Sequence, residues 1–311
     1  MEINKKRYND IDSYFKRKFK KKIIKLPVDG NFSCPNRDGR ISYGGCIYCS
    51  ERGSGDFTKQ GLSIKDQLIY QKNLLSKDGR EEGYIAYFQN FTNTYDSIDR
   101  LRKIYNEALS LSFIDGVAIA TRADCIDNDV IELFKELDKK TFLFVELGLQ
   151  SVDEKTIRFI KRGYTHKEFD ENYLRLQKTG IKILAHIIVG LDDNPLDTIS
   201  YVNDRNFWAV KIHSLYVQKN TKLYDIYLRN NFYLPSKEEY VEMVCKMLTY
   251  LRSDITVHRL TGDCPKDELV APLWTRNKAG VLSSIDRYLK VNDLRQGDLY
   301  GKKDSNNVIC K

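Results

Sequence analysis

Short apolar segments alternate with longer segments whose apolar residues recur at helical spacing through most of the 311-residue chain. The short segments are rich in β-branched and aromatic residues, which predicts buried strands. The longer segments carry apolar residues on one side, which predicts helices that cover a sheet. Strands are predicted at 22–28, 84–88, 117–121, 142–149, 181–190 and 210–217, and helices at 63–77, 97–111, 128–137, 153–162, 167–179 and 195–207.

This order of strands and helices favours βαβ units that build a parallel sheet. Six units are fewer than the eight of a closed barrel of this kind. Two further helical patterns, 236–251 and 278–289, and a weaker strand pattern at 256–260 follow. We therefore divide the chain into a basic N-terminal arm (1–22), an α/β domain (23–234) and a mainly helical C-terminal extension (235–311).

The composition is typical of a soluble globular protein, with 41% hydrophobic and 30% charged residues. No apolar run reaches the roughly eighteen residues of a membrane span, and the basic N-terminus lacks the apolar stretch of a signal peptide. The seven cysteines are an odd number, which argues against a complete disulfide framework. We therefore expect a cytoplasmic protein that is not embedded in a membrane.

The net charge of +8 is concentrated near the N-terminus, where residues 1–25 contain ten Lys or Arg and three Asp or Glu. Tyr8, Tyr14, Phe15 and Phe19 lie between these charges. Basic groups neutralise phosphates and aromatic rings stack on unpaired bases, so this segment is a candidate RNA-contacting arm. A solvated helix face would show the same pattern.

Three of the cysteines, Cys34, Cys46 and Cys49, cluster in a loop rich in Gly, Pro and Asn. Clustered thiols in such a loop indicate a metal site. Structural zinc requires a fourth ligand, for which Cys125 is the nearest candidate. An iron–sulfur cluster with only three cysteines would instead leave one iron open to an external ligand.

The loop sequence distinguishes these alternatives by resemblance. Residues 32–49 contain Phe-x-Cys-Pro-Asn-Arg-Asp-Gly followed by Gly-Gly-Cys-x-Tyr-Cys, which resembles the radical S-adenosylmethionine (SAM) superfamily, and most of all the branch of the elongator catalytic subunit. The resemblance implies an open, partial (βα)6 TIM-like barrel. It also implies a 4Fe-4S cluster held by Cys34, Cys46 and Cys49 at the C-terminal ends of the strands, with SAM on the open iron.

A second motif lies on the predicted strand 142–149, where Glu146, Gly148 and Gln150 alternate with apolar residues. Alternation of period two puts the three on one face of the strand. A half-exposed strand would also alternate in this way. However, Val145–Ser151 (Val-Glu-Leu-Gly-x-Gln-Ser) resembles a signature of the same branch, and similar enzymes hold SAM with this Gln and an Arg twelve residues later, which is Arg162 here.

The resemblance extends to further positions at strand ends. Relatives approach the cofactor with a Gly-rich turn where this chain has Gln89, Asn90 and Thr92, and with acidic residues where it has Arg122 and His186. From the residues alone, an Asn/Thr-rich turn and a structural His fit equally well. Lys211 and His213 share a strand face that could meet an anionic substrate, and a capped barrel end explains them equally well. The cofactor-binding set implied is Tyr48, Gln89, Asn90, Thr92, Arg122, Glu146, Gln150, Arg162 and His186.

The resemblance implies an enzyme that cleaves SAM reductively to a 5′-deoxyadenosyl radical, with flavodoxin or ferredoxin as electron donor. The elongator relation and the basic arm both favour tRNA as the partner, with a wobble uridine bearing a carboxymethylaminomethyl group as the substrate. The extension is too short for elongator's acetyltransferase domain, which argues against the same overall reaction. A radical SAM enzyme for a protein or small molecule, and a zinc-containing RNA-binding protein, are the alternatives. The sequence assigns no catalytic side chain.

Overall fold

Seven parallel strands curl into an open barrel in the computed structural model, which describes residues 6–53, 58, 61–76, 81–192, 194–229 and 232–302. The first six strands alternate with helices in chain order, so the predicted α/β partial barrel is confirmed. The strands are β1 Lys22–Val28, β2 Glu82–Phe88, β3 Ile114–Thr121, β4 Phe142–Gln150, β5 Lys182–Val189, β6 Ala209–Ser214, β7 Val217–Gln218, β8 Thr256–Arg259 and β9 Leu269–Ala271.

The helices cover the outside of the barrel and build the C-terminal extension. They are α1 Ile11–Phe19, α2 Ile64–Leu75, α3 Ile98–Leu109, α4 Asn128–Lys140, α5 Glu154–Phe159, α6 His166–Gln177, α7 Pro195–Asp204, α8 Lys222–Leu228, α9 Lys237–Tyr250 and α10 Lys278–Val291. Capping residues set several of these boundaries. Ser236 and Glu239, for example, form a capping box at the start of α9, as Thr165 and Glu168 do for α6.

The seventh barrel strand is β8, which comes from the C-terminal extension and pairs in parallel with β6. The sheet order is β1-β2-β3-β4-β5-β6-β8. A bulge between Val210 and Lys211 brings Lys211 into register with Arg259. The weak strand pattern at 256–260 therefore marks a barrel element, and the extension contributes directly to the sheet.

The two faces of the sheet have different roles. Outward-facing residues such as Leu26, Val145 and Ile187 belong to the main core beneath the helices. Inward-facing residues at the N-terminal end of the barrel, including Phe144 and Leu184, form a second apolar cluster. Polar inward-facing residues follow along the strands toward the C-terminal end, where the functional site lies.

Helix α1 closes the N-terminal end of the barrel. Phe15 is 2% exposed and packs edge-on against Phe142, while Tyr14 packs against Trp208. The aromatic rings of the arm are therefore part of a core, and the hypothesis that they stack on RNA bases is wrong for these residues. Residues 1–5 of the arm lie outside the described residues. Lys16, Arg17, Lys18, Lys20 and Lys22 remain exposed at this end.

Helices α9 and α10 of the extension pack on each other and on α7. Val244, Leu248 and Ile285 are buried between them and join the main core. Among the described residues, no helix has both the length and the apolar character needed to cross a membrane.

Candidate active site

A cavity of about 240 Å³ opens at the C-terminal ends of the barrel strands. The predicted site residues that line it are Cys34, Cys46, Tyr48, Cys49, Gln89, Thr92, Arg122, Glu146, Gln150, Arg162 and His186. Asn90 is the predicted site residue that does not line it. Asn90 is buried, and its amide donates a hydrogen bond to Thr58 Oγ1 at 2.9 Å.

Turns within the loop place the three cysteines in the wall of one cavity. The backbone N–H of Cys49 donates to the carbonyl of Cys46 at 3.0 Å, and Gly44 and Gly45 adopt positive φ of 82° and 75° just before Cys46. Such values favour glycine, which explains the Gly-Gly pair. The buried Asn36 donates to the carbonyl of Lys161 at 2.6 Å and thereby ties the loop to the segment after α5.

The thiols of this loop are unequal. A hydrogen bond from Cys49 lowers the pKa of Cys46 to about 6 against the effect of burial, with help from the Arg122 charge. The thiol of Cys49, which donates this hydrogen bond to Cys46, has a pKa well above the ordinary value. A thiolate is the form that binds a metal, so Cys46 is prepared for ligation near neutral pH.

The fourth-ligand candidate does not join the group. Cys125 is absent from the cavity lining, and burial raises the pKa of its thiol to about 12. Within the described ranges, no three Cys, His, Asp or Glu side chains are grouped so that they could hold a metal ion, and this includes Cys34, Cys46 and Cys49, which share the cavity wall without forming a closed ligand set.

Four buried polar atoms in the cavity wall lack a hydrogen-bond partner among the described residues. They are Thr92 Oγ1, Gln150 Oε1, Arg162 Nη2 and His186 Nε2. A buried polar group without a partner costs about 1–3 kcal/mol. These atoms therefore suit a polar ligand beside the cysteines, as a cofactor of the SAM type would require.

The end of β4 is shaped around Gln150. A register shift between Gly148 and Gln150 breaks the strand, and Gln150 has a φ of 59°, in the left-handed region. The Gln150 side chain folds back over Gly148, where a Cβ atom would collide with its Nε2. The glycine is thus required by the approach of the amide that turns into the cavity.

Arg162 is 1% exposed and is fixed by its neighbours. Its Nη1 donates to the carbonyl of Leu149 at 2.8 Å, and its guanidinium lies 4.4 Å from the centre of the Tyr164 ring. Arg122 covers the same ring at 4.7 Å but pairs with Asp124 at 2.8 Å. Arg162 therefore keeps a buried N–H group, at Nη2, without a partner among the described residues, whereas the charge of Arg122 is already matched by a carboxylate.

The floor of the cavity is a polar network around Glu146, which is 3% exposed. Lys211 Nζ lies 2.6 Å from one carboxylate oxygen, and the Tyr87 hydroxyl donates to the other at 2.6 Å. His186 Nδ1 lies 3.4 Å from the same Glu146 oxygen that Lys211 contacts. Burial alone would raise the pKa of Glu146, but the Lys211 and His186 interactions and these hydrogen bonds hold it well below its ordinary value.

The sequence interpretation missed Tyr87 and Arg259, which also line the cavity. Tyr87 follows Ile85 at the two-residue spacing of an inward-facing strand position, so the strand predicted at 84–88 contained the signal. Arg259 is brought into the wall by the bulge beside Lys211, which no local pattern indicates.

Comparisons with known proteins are consistent with this geometry. The Radical SAM superfamily model matches residues 37–203, and the Radical_SAM C-terminal domain model matches residues 207–291. YtqA of Bacillus subtilis is 36% identical over 312 residues, which cover 98% of this chain and 96% of YtqA. The tRNA uridine(34) acetyltransferase of Methanocaldococcus infernus is 22% identical over 188 residues, 58% of this chain and 34% of that enzyme. The solved structure of an N-terminally deleted Methanocaldococcus infernus Elp3 shares the fold, with a TM-score of 0.64 at 17% identity over 88% of this chain and 64% of that one.

Proposed function

The chain belongs to the radical SAM superfamily, in the branch of the elongator catalytic subunit, and we propose that this enzyme remodels a side chain on a wobble uridine of tRNA. Members of the superfamily bind a 4Fe-4S cluster and SAM, and these are the cofactors of this enzyme. When bound and reduced, they supply a 5′-deoxyadenosyl radical that abstracts a hydrogen atom from the substrate.

The observation that carries the proposal is the placement of three thiols and four unpartnered polar atoms in one cavity. Cys34, Cys46 and Cys49 would hold the cluster. Gln150 and Arg162 would hold SAM through the atoms that lack partners. Tyr48, Gln89, Thr92, Arg122, Glu146 and His186 line the same space and are proposed to complete its contacts, whereas Asn90 would act only by supporting the wall.

The protein's own residues would hold the reacting groups away from water. The cavity lies within the barrel, between the cysteine loop and the Glu146 network, and α1 closes the opposite end. A reactive radical needs such shielding because side reactions with solvent or protein would destroy it. An electron donor such as flavodoxin or ferredoxin would reach the cluster from the mouth of the cavity.

The tRNA assignment is supported by the relative that is named a tRNA uridine(34) acetyltransferase and by the net charge of +8. We propose a carboxymethylaminomethyl group on the uridine as the part that is remodelled. Because the chain matches only 34% of that acetyltransferase, the reaction proposed here is the radical step alone.

One observation favours a second candidate, a radical SAM enzyme for a protein or small molecule. The aromatic residues of the basic arm are packed into the barrel end opposite the cavity. The arm therefore gives weaker support for RNA than its sequence suggested, and the substrate requires a direct test.

The experiment begins with anaerobic reconstitution of the cluster. Iron, labile sulfide and the 5′-deoxyadenosine formed on reduction are measured for the wild type and for Cys34→Ala, Cys46→Ala and Cys49→Ala. Cys125→Ala is the matched control because this thiol lies outside the cavity lining. We expect the three loop variants to lose cluster and product and the control to keep both.

Transfer RNA bearing carboxymethylaminomethyluridine is then added, and its nucleosides are analysed by mass spectrometry. We expect loss of that nucleoside and increased 5′-deoxyadenosine. Unchanged nucleosides, with 5′-deoxyadenosine formed at the same rate without RNA, would exclude this substrate while leaving the radical chemistry intact.

A further inference from the structure

The cavity floor carries more positive than negative charge. Lys211 and Arg259 line it from β6 and β8, and the side chain of Lys25 on β1 interacts electrostatically with both. Glu146 and Asp263 are the carboxylates of the lining, and Asp263 pairs with Lys278. His186 and His213 add no further positive charge, since burial and the charges of Lys211 and Arg259 lower the pKa of His186 to about 3 and that of His213 well below its ordinary value. The floor therefore holds an excess of cations, in which Lys211 is largely buried and Arg259 is exposed to solvent.

Only one of the three cations has an acidic partner. Lys211 is paired with Glu146, whereas the exposed side chain of Arg259 makes no hydrogen bond or ion pair with the described residues. Lys25 likewise has no acidic partner there, and its Nζ lies 5.5 Å from the centre of the Tyr87 ring. Burial, followed by the charges of Arg259 and Lys211, lowers the pKa of Lys25 to about 8.

Arg259 has a specific placement. A bulge at His258 of β8 puts Arg259 beside Lys211 in the sheet, and the Arg259 side chain lines the cavity. Its charge is felt by groups on four strands, since it contributes to the pKa shifts of Lys25, Tyr87, His186 and Lys211. An unpaired guanidinium at the meeting point of these groups is well placed to receive an anion.

The form of the site indicates which anion it receives. A guanidinium binds a carboxylate through two parallel hydrogen bonds, and an adjacent ammonium adds a point charge. Lys211 lies inside the barrel with 11% of its side chain exposed, so a group at the end of a side arm reaches it more readily than a phosphate within a polynucleotide backbone.

We propose that Arg259, together with Lys211, binds a carboxylate at the end of the substrate's reacting side arm. This inference rests on the proposed function and names the part of the substrate that enters the barrel. The carboxylate would balance the excess charge, and its anchoring would present the atoms next to it to the cofactor side of the cavity.

The first test measures RNA binding by the reconstituted protein with SAM and without reductant. Three anticodon stem-loops are compared, whose wobble uridine carries the carboxymethylaminomethyl group, its carboxamide counterpart or no substituent. We expect the wild type to bind the carboxylate about tenfold more tightly than the carboxamide, as for a charge-assisted hydrogen bond. Arg259→Gln should lose this preference, and Arg287→Gln, the same change on an exposed part of α10, should keep it.

The second test needs no RNA. The melting temperature of the protein is measured with sodium glycolate, glycolamide or inorganic phosphate at constant ionic strength. We expect glycolate to raise the melting temperature of the wild type and of Arg287→Gln but not of Arg259→Gln. An equal rise in Arg259→Gln would overturn the site, and an equal or larger effect of phosphate would overturn its assignment to a carboxylate.

The two tests separate the two proposals. If glycolate acts through Arg259 and no stem-loop binds, the floor is a carboxylate site and the tRNA proposal is wrong. If the stem-loops bind without regard to the carboxylate and glycolate has no effect, the tRNA proposal stands and the carboxylate site is rejected.

Discussion

At the scale of single residues, the site contains two kinds of buried polar group: those with hydrogen-bond or charge partners, and those without a partner among the described residues. Glu146 has Lys211, Tyr87 and His186 as partners, whereas Gln150 and Arg162 each leave one buried polar atom without one. Matched groups hold the barrel interior in one arrangement. The polar atoms in the cavity wall that lack a hydrogen-bond partner are the ones that a ligand can satisfy.

Gly148→Ala tests the role of Gln150 without altering its chemistry. The added methyl group would collide with the Gln150 amide and push it out of place, so we expect SAM to bind about fivefold more weakly, the loss of roughly one hydrogen bond. Binding is measured by equilibrium dialysis on the reconstituted protein. In a Gln150→Ala background the same substitution should have almost no further effect, and an additive loss would show that Gly148 acts by another route.

Lys211→Met tests the buried ion pair. Removal of the cation leaves the Glu146 carboxylate buried without its main partner, which costs about 3–5 kcal/mol of the free energy of unfolding. The pKa of Glu146 in the folded variant would then lie above its unfolded value. The variant should therefore recover stability as the pH falls from 7 toward 5, where the carboxyl binds a proton.

Urea unfolding at the two pH values measures this effect. In the wild type the folded-state pKa of Glu146 is depressed, so its contribution is present above the unfolded pKa and is lost only in more acidic solution. The double variant Lys211→Met with Glu146→Gln should be more stable than Lys211→Met at pH 7. If it is not, the destabilisation does not come from the unpaired carboxylate.

At the scale of elements, the repeating strands and helices were predictable because each buries a face with a regular period. The pattern identified all six βα strands and the inward face of β4. It did not reveal that α1 closes one end of the barrel, because a basic amphipathic segment has the same pattern whether its aromatic face contacts RNA or packs into a barrel. That choice is made by tertiary packing against Phe142, Phe144 and Trp208.

The residues of the site differ in the same way: local sequence sets the position of some, and the pairing of distant segments sets the position of others. The cysteine loop and Val145–Ser151 are contiguous, so their residues were predictable from sequence and resemblance. Asn90 does not line the cavity, because a turn decides which of the neighbouring side chains faces it. Arg259 was missed because its position depends on a bulge that forms only when β8 pairs with β6, about fifty residues earlier.

Phe15→Ala tests whether α1 is an integral part of the barrel. The ring is buried between α1 and the inner face of the sheet, so its removal should lower the free energy of unfolding by about 3–5 kcal/mol. Lys16→Ala, on the exposed face of the same helix, should change it by less than about 0.5 kcal/mol. Similar effects of the two substitutions in thermal or urea unfolding would mean that α1 does not close the barrel in solution.

At the scale of the whole molecule, the two ends of the barrel carry separate sets of exposed charge. Lys16, Arg17 and Lys18 lie at the closed end with α1. Arg40, Lys161 and Lys222 belong to the cysteine loop and to segments that contact it, and Lys222 donates to the carbonyl of Tyr43 at 3.0 Å. Strands of this length separate the two ends by about 25 Å.

A base that enters the cavity brings its flanking phosphates to the mouth of the barrel and not to its closed end. We therefore expect the triple variant Arg40→Gln, Lys161→Gln, Lys222→Gln to weaken stem-loop binding and to lower the slope of log affinity against log salt concentration by about two, as for three lost phosphate contacts on a single strand. The triple variant Lys16→Gln, Arg17→Gln, Lys18→Gln removes the same charge and should leave that slope unchanged. If both triple variants lower the slope equally, RNA responds to the overall charge of the protein. If only the Lys16, Arg17, Lys18 variant lowers it, the RNA binds at the closed end, in contact with the arm.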